Sequence, residues 1–123
     1  MKVLVFILGS LSVNALACPD FSGNYSCNGT PPSYHGKYTQ TIYQTPDSVT
    51  FGDGAVKLKL GGDTTVDNQA GHIIVTTTCT PSQLIEKYNL NGKSFPGQTV
   101  VTKTASGFST VEADGSTTDC KKN

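Results

Sequence analysis

The stretch from His72 to Ala105 reads HIIVTTTCTPSQLIEKYNLNGKSFPGQTVVTKTA, and it decides the fold. Ile73, Val75, Thr77 and Cys79 share one face of a segment over 72–79. Thr99, Val101, Lys103 and Ala105 alternate with Val100, Thr102 and Thr104 over 98–105. Period-two alternation of this kind marks half-buried β-strands. Asn91-Gly92 lies between them, and Asn-Gly is a strong two-residue hairpin signal because both residues tolerate positive φ. The segment before it admits two readings. Thr80-Pro81-Ser82-Gln83 has the form of a capping box with Pro at the first helical position, and Leu84, Ile85 and Tyr88 would share a helical face over 81–90. A strand over 83–90 is preferred, because Asn-Gly closes hairpins and the flanking segments are strands.

The same punctuation continues outward. Asp114-Gly115 is a second hairpin dipeptide, and Ser106-Gly107, Asp53-Gly54 and Gly61-Gly62 are further turn signals. Val56, Leu58 and Leu60 alternate with Ala55, Lys57 and Lys59. The predicted strands are about 21–27, 37–44, 48–52, 55–60, 64–68, 72–79, 83–90, 98–105, 108–113 and 116–121. Hairpin after hairpin gives an all-β, antiparallel up-and-down meander of about 8–10 short strands. Such a meander protects its edges by closing, so a small barrel or half-open barrel is expected.

The first 17 residues read as a signal peptide: Lys2, an apolar run from Val3 to Val13, and a small-x-small site at Ala15-Leu16-Ala17. The run is shorter than the roughly 20 residues of a membrane span. Residues 18–123 then form one β-barrel-like domain, secreted or periplasmic. Its 17 Thr suit a pleated, half-exposed surface. Eight Lys against nine Asp plus Glu, with no Arg, argue against a nucleic-acid partner. Cys18, Cys27, Cys79 and Cys120 are an even set, as a disulfide framework requires. Lipidation of Cys18 would strand one thiol.

Cys18-Pro-Asp-Phe-Ser-Gly-Asn-Tyr-Ser-Cys27 is the sharpest local feature. Its Phe21-x-Gly23-x-Tyr25 core resembles the first-strand Gly-x-Trp signature of lipocalins and the wider calycin group. The C-P-x-F-x-G-x-Y-x-C opening also resembles small exported bacterial proteins. The lipocalin resemblance implies a barrel whose closed end is plugged by Phe21, Gly23 and Tyr25, and a cavity for a small apolar ligand. Tyr25 stands where that group has Trp, and no Arg is present to stack on it. Four cysteines allow three connectivities. A bend at Gly23-Asn24 would permit 18–27 with 79–120, the preferred pairing; 18–120 with 27–79 suits a barrel whose terminal strands meet.

Catalytic signals are sparse. No nucleophile elbow or phosphate loop is present. Glu86 and Glu112 are the only glutamates, but nothing in their spacing brings them together as a catalytic couple. His35 and His72 lack zinc-motif spacing, and Asp47, Asp53, Asp63, Asp67 and Asn68 lack the alternation of a calcium loop. Neither metal nor cofactor is expected. Asn24-Tyr-Ser26 and Asn28-Gly-Thr30 fit the N-glycosylation pattern.

If 83–90 is a strand, Glu86 shares a face with Leu84, Tyr88 and Leu90. It then points either into the core, with Lys103 as its partner, or to solvent with Ile85 inside. Glu86, Tyr88 and Lys103 are therefore the candidate interior polar residues, and the sequence assigns no ligand-binding residue beyond that candidacy. The expected function is a non-enzymatic exported protein that binds a small apolar or amphipathic ligand. The alternative is a cavity-free interaction module, either an envelope component or an inhibitor of a secreted enzyme. Intact mass of the mature protein should show loss of residues 1–17 and of four hydrogens; a diacylglycerol-sized increment would refute the full pairing and the unlipidated Cys18.

Overall fold

The computed structural model describes residues 18–32 and 36–123. The expected signal peptide and His35 lie outside them. Ten antiparallel strands follow in chain order: β1 Gly23–Gly29, β2 Gly36–Gln44, β3 Ser48–Phe51, β4 Leu58–Lys59, β5 Gly62–Asn68, β6 Gly71–Cys79, β7 Gln83–Leu90, β8 Lys93–Lys103, β9 Gly107–Val111 and β10 Thr117–Lys122. Their order across the sheet is β4-β3-β2-β1-β10-β9-β8-β7-β6-β5. All the ladders but one join strands adjacent in the chain; the exception joins β1 to β10. β4 and β5 do not ladder, so the up-and-down barrel is nearly closed. At the gap, Lys59 N donates to Thr64 Oγ1 at 2.8 Å and Gly61 N to Thr77 O at 2.9 Å. A two-residue β4 with an exposed Lys59 is a short, charged edge, which discourages pairing with another chain. Among the described residues no helix is long and apolar enough to cross a membrane.

The segment over 83–90 is a strand, as preferred. At Asn91 and Gly92 φ is +51° and +86°, the positive values a type I′ turn needs. Three boundaries differ from expectation. Residues 55–57 are not strand and Val56 is 46% exposed, so only Leu58 of that apolar set is deeply buried. β8 starts at Lys93, because Pro96-Gly97 bulges out between the Asn89↔Ser94 and Lys87↔Gln98 pairs. At Asp114-Gly115 the closing pair is Glu112 with Ser116, which leaves a three-residue loop with Gly115 at φ +91°.

Residues 18–22 are not strand. They cross one end of the barrel and close it. Phe21 is fully buried, edge-on to Phe108 at 6.0 Å between centroids. Tyr25 is also fully buried, 4.8 Å from the same ring, and its hydroxyl donates to Phe21 O at 2.7 Å. Gln44 clamps the segment from both sides: its Oε1 accepts from Phe21 N and its Nε2 donates to Pro19 O, each at 2.8 Å. Gly23, at φ +138°, lets the Lys122 side chain cross, since a Cβ there would lie 2.6 Å from Lys122 Cε. Ile42, Val49, Leu84 and Val101 belong to the same apolar core.

The bridges are Cys18–Cys79 and Cys27–Cys120, which corrects both expected pairings. Residues 23–29 run on as one strand, so Cys27 is carried away from Cys18 and faces Cys120 directly in the β1–β10 ladder. Cys18, at the far end of the crossing segment, reaches Cys79 at the end of β6. Among the described residues no cysteine is free. Two such bridges belong to an oxidising, extracytoplasmic environment.

Tyr25→Ala should cost about 3–5 kcal/mol in chemical denaturation, as for other buried aromatics. Phe108→Ala should be non-additive with it, because the two rings are in contact. Additive losses would show that the aromatic plug is not a unit.

Candidate functional site

The other half of the interior is polar. Strand register sets a row of side chains across the sheet: Thr77 on β6 lies opposite Glu86 on β7, which lies opposite Thr99 on β8. Glu112 follows β9 and joins the row through Thr99. The Tyr88 hydroxyl lies 3.1 Å from Glu86 Oε1 and 2.6 Å from Thr99 Oγ1, and Thr99 Oγ1 lies 3.1 Å from Glu112 Oε1. The two glutamates that sequence spacing left unrelated are thus joined through the Tyr88 and Thr99 hydroxyls.

Burial pushes the Glu86 carboxyl above the ordinary range and the Glu112 charge adds to this, against the opposing effect of the Tyr88 hydrogen bond. Burial likewise pushes the Tyr88 phenol up, so it stays neutral and able to donate.

Beside this row lies a partly open cavity of about 210 Å³. Its lining includes Tyr38 and Gln40 from β2, Phe51 from β3, Glu86 and Thr99 from the row, and Phe108, Thr110 and Thr118 from the β9–β10 side. A shallower hollow formed by Tyr88, Phe95, Ala113 and Asp114 adjoins it and shares Thr99 and Glu112. Thr118 is 3% exposed, and its hydroxyl has no hydrogen-bond partner. Buried hydroxyls are normally satisfied, so among the described residues this one stands out as able to donate and accept a further hydrogen bond. The Thr77 hydroxyl is in the same state.

Of the candidate interior polar residues, Glu86 and Tyr88 come together, and Glu86 takes the inward course of the two that were open to it. Lys103 does not join them. It lies at the plugged end, exposed, where its Nζ donates to Asp20 O at 2.7 Å and sits 5.8 Å from the Phe21 ring centroid.

Thr99 and Thr118 are the site residues that the sequence did not single out. A plain two-residue hairpin at Asn91-Gly92 would set Glu86 against Gly97, whereas the bulge at Pro96-Gly97 sets it against Thr99. The signal was present, since Pro-Gly inside a strand pattern marks a bulge. Thr118 carries no local signal; closure of the barrel brings it to the cavity.

The remaining polar residues serve turns and ladders. Asp67 pairs with His72 at 2.6 Å, Asp63 accepts from Thr76 and Asp53 from Tyr43. Asn24 and Asn28 are exposed on the outer face of β1. Among the described residues no cluster of three His, Cys, Asp or Glu side chains could hold a metal. No protein-family model, curated protein or solved structure matches the chain.

The raised Glu86 carboxyl has a signed consequence. The folded state holds its proton to higher pH than the unfolded chain does. Stability therefore falls as pH rises from the ordinary carboxyl value to the raised one, and stays lost above it. Among the described residues, Tyr88 and Glu112 act on it and Tyr38 lines the same cavity. Glu86→Gln, which carries no charge, should melt higher than wild type at neutral pH and above. The difference should close as pH falls towards the ordinary carboxyl range. A constant difference across that window would mean that Glu86 is not the titrating group.

Proposed function

We propose that this is an exported, non-enzymatic protein of the secreted or periplasmic space that holds a small amphipathic ligand inside its barrel. The observation that carries the reading is the partly open cavity of about 210 Å³, with aromatic rings and the Glu86–Thr99 row in its wall. A cavity of about 150 Å³ is enough for benzene, so this one suits a single ring or short chain with a polar head. The abundance of hydroxyl and carboxyl groups favours an amphipathic ligand over a purely apolar one. The alternative of a surface-acting module requires a filled barrel, and the cavity weighs against it. A hydrolytic role for Glu86 and Glu112 is disfavoured because the Tyr88 and Thr99 hydroxyls link the two carboxyls.

Protein purified from its native compartment should release a stoichiometric small molecule on denaturation, detected by mass spectrometry. Val101→Phe, which fills the cavity from its apolar side, should abolish that release while leaving the β-sheet circular dichroism unchanged. Equal yields from both proteins would place the ligand elsewhere.

A further inference from the structure

We infer that the ligand carries a primary ammonium group, which seats against Glu86 in the barrel cavity. This rests on the ligand-binding reading above and narrows its chemistry. Three observations carry it.

The first is the shortage of donors. Glu86 is half-buried and among the described residues accepts from one hydroxyl, that of Tyr88, although a carboxylate can accept about four hydrogen bonds. No cation approaches it among the described residues: the chain has no Arg in its barrel domain, and Lys103 is committed to Asp20 O at the plugged end. An ammonium supplies both donors and a charge to the Glu86 lone pairs that Tyr88 leaves open.

The second is Thr118, whose buried hydroxyl has no partner while its side chain lines the same cavity. With Gln40 and Thr110 it makes the lining rich in oxygen acceptors, which suits the three N–H donors of a primary ammonium. The third is the ring set Tyr38, Phe51 and Phe108 on the cavity wall. Aromatic faces attract cations and pack well on a ligand ring. Calcium fits less well, since it takes 6–8 oxygens and several carboxylates, whereas the carboxyls in this lining are Glu86 and Glu112 alone.

Isothermal titration of the ligand-stripped protein with 2-phenylethylamine, 2-phenylethanol and calcium chloride tests the inference. The amine should bind at least about tenfold more tightly than the alcohol near neutral pH, the preference that one charge-assisted contact supplies. Glu86→Gln should lose that preference while its affinity for the alcohol stays close to that of wild type, and Glu86→Asp should restore part of it. Retained alcohol binding also shows that the variant is folded. Equal affinity of wild type for amine and alcohol would overturn the ammonium assignment and leave the cavity reading standing. Binding of calcium alone would overturn the ammonium assignment too. Binding of none of the three would count against both.

Discussion

Pairing of the first strand with the last is the constraint on which the rest of the molecule depends. β1 and β10 meet in register from Tyr25↔Lys122 to Gly29↔Thr118, and Cys27–Cys120 locks the middle of that seam. The partners are 93 residues apart in sequence, so the contact carries a large chain-closure cost and gains most from a covalent link. Every other ladder joins strands adjacent in the chain. Without the seam, β1 and β10 would be exposed edges, and the two halves of the interior would have no common wall.

The seam also sorts the interior. Towards one end it brings Tyr25 against Phe108, and the crossing segment seals that end with Phe21. Cys18–Cys79 and the Gln44 clamp hold the segment across the mouth. Towards the other end it sets Thr118 opposite Thr110 and brings both to the cavity that Glu86 lines. One end is filled by large apolar side chains and supplies stability. The other sets Thr99, Thr110 and Thr118 among the rings and carboxyls of its wall, and a cavity remains.

That division has an energetic cost. Glu86, Thr99 and Thr118 occupy inward positions where apolar residues would stabilise the fold more. Positions that break the inside-apolar rule are where function is expected to reside. The raised affinity of the Glu86 carboxyl for its proton limits the penalty, because a neutral carboxyl is far cheaper to bury than a charged one.

The strand pattern, the hairpin at Asn91-Gly92 and the disulfide class were legible in the chain, because alternation and turn chemistry are local properties. The inward face of Glu86 was legible only as one of two choices. Which cysteines pair, what Glu86 meets and whether the barrel is hollow were not legible. Cys27 finds Cys120 through strand order. Lys103 is carried to the plugged end, away from Glu86, by strand direction. Thr99 reaches Glu86 through a bulge that shifts the hairpin register. Each of these is a relation between segments that no local pattern encodes. The sequence by itself determined that the chain is a meander of short strands, because backbone preference acts over a few residues. Only the tertiary structure decided what those strands enclose, because closure sets which side chains share the interior.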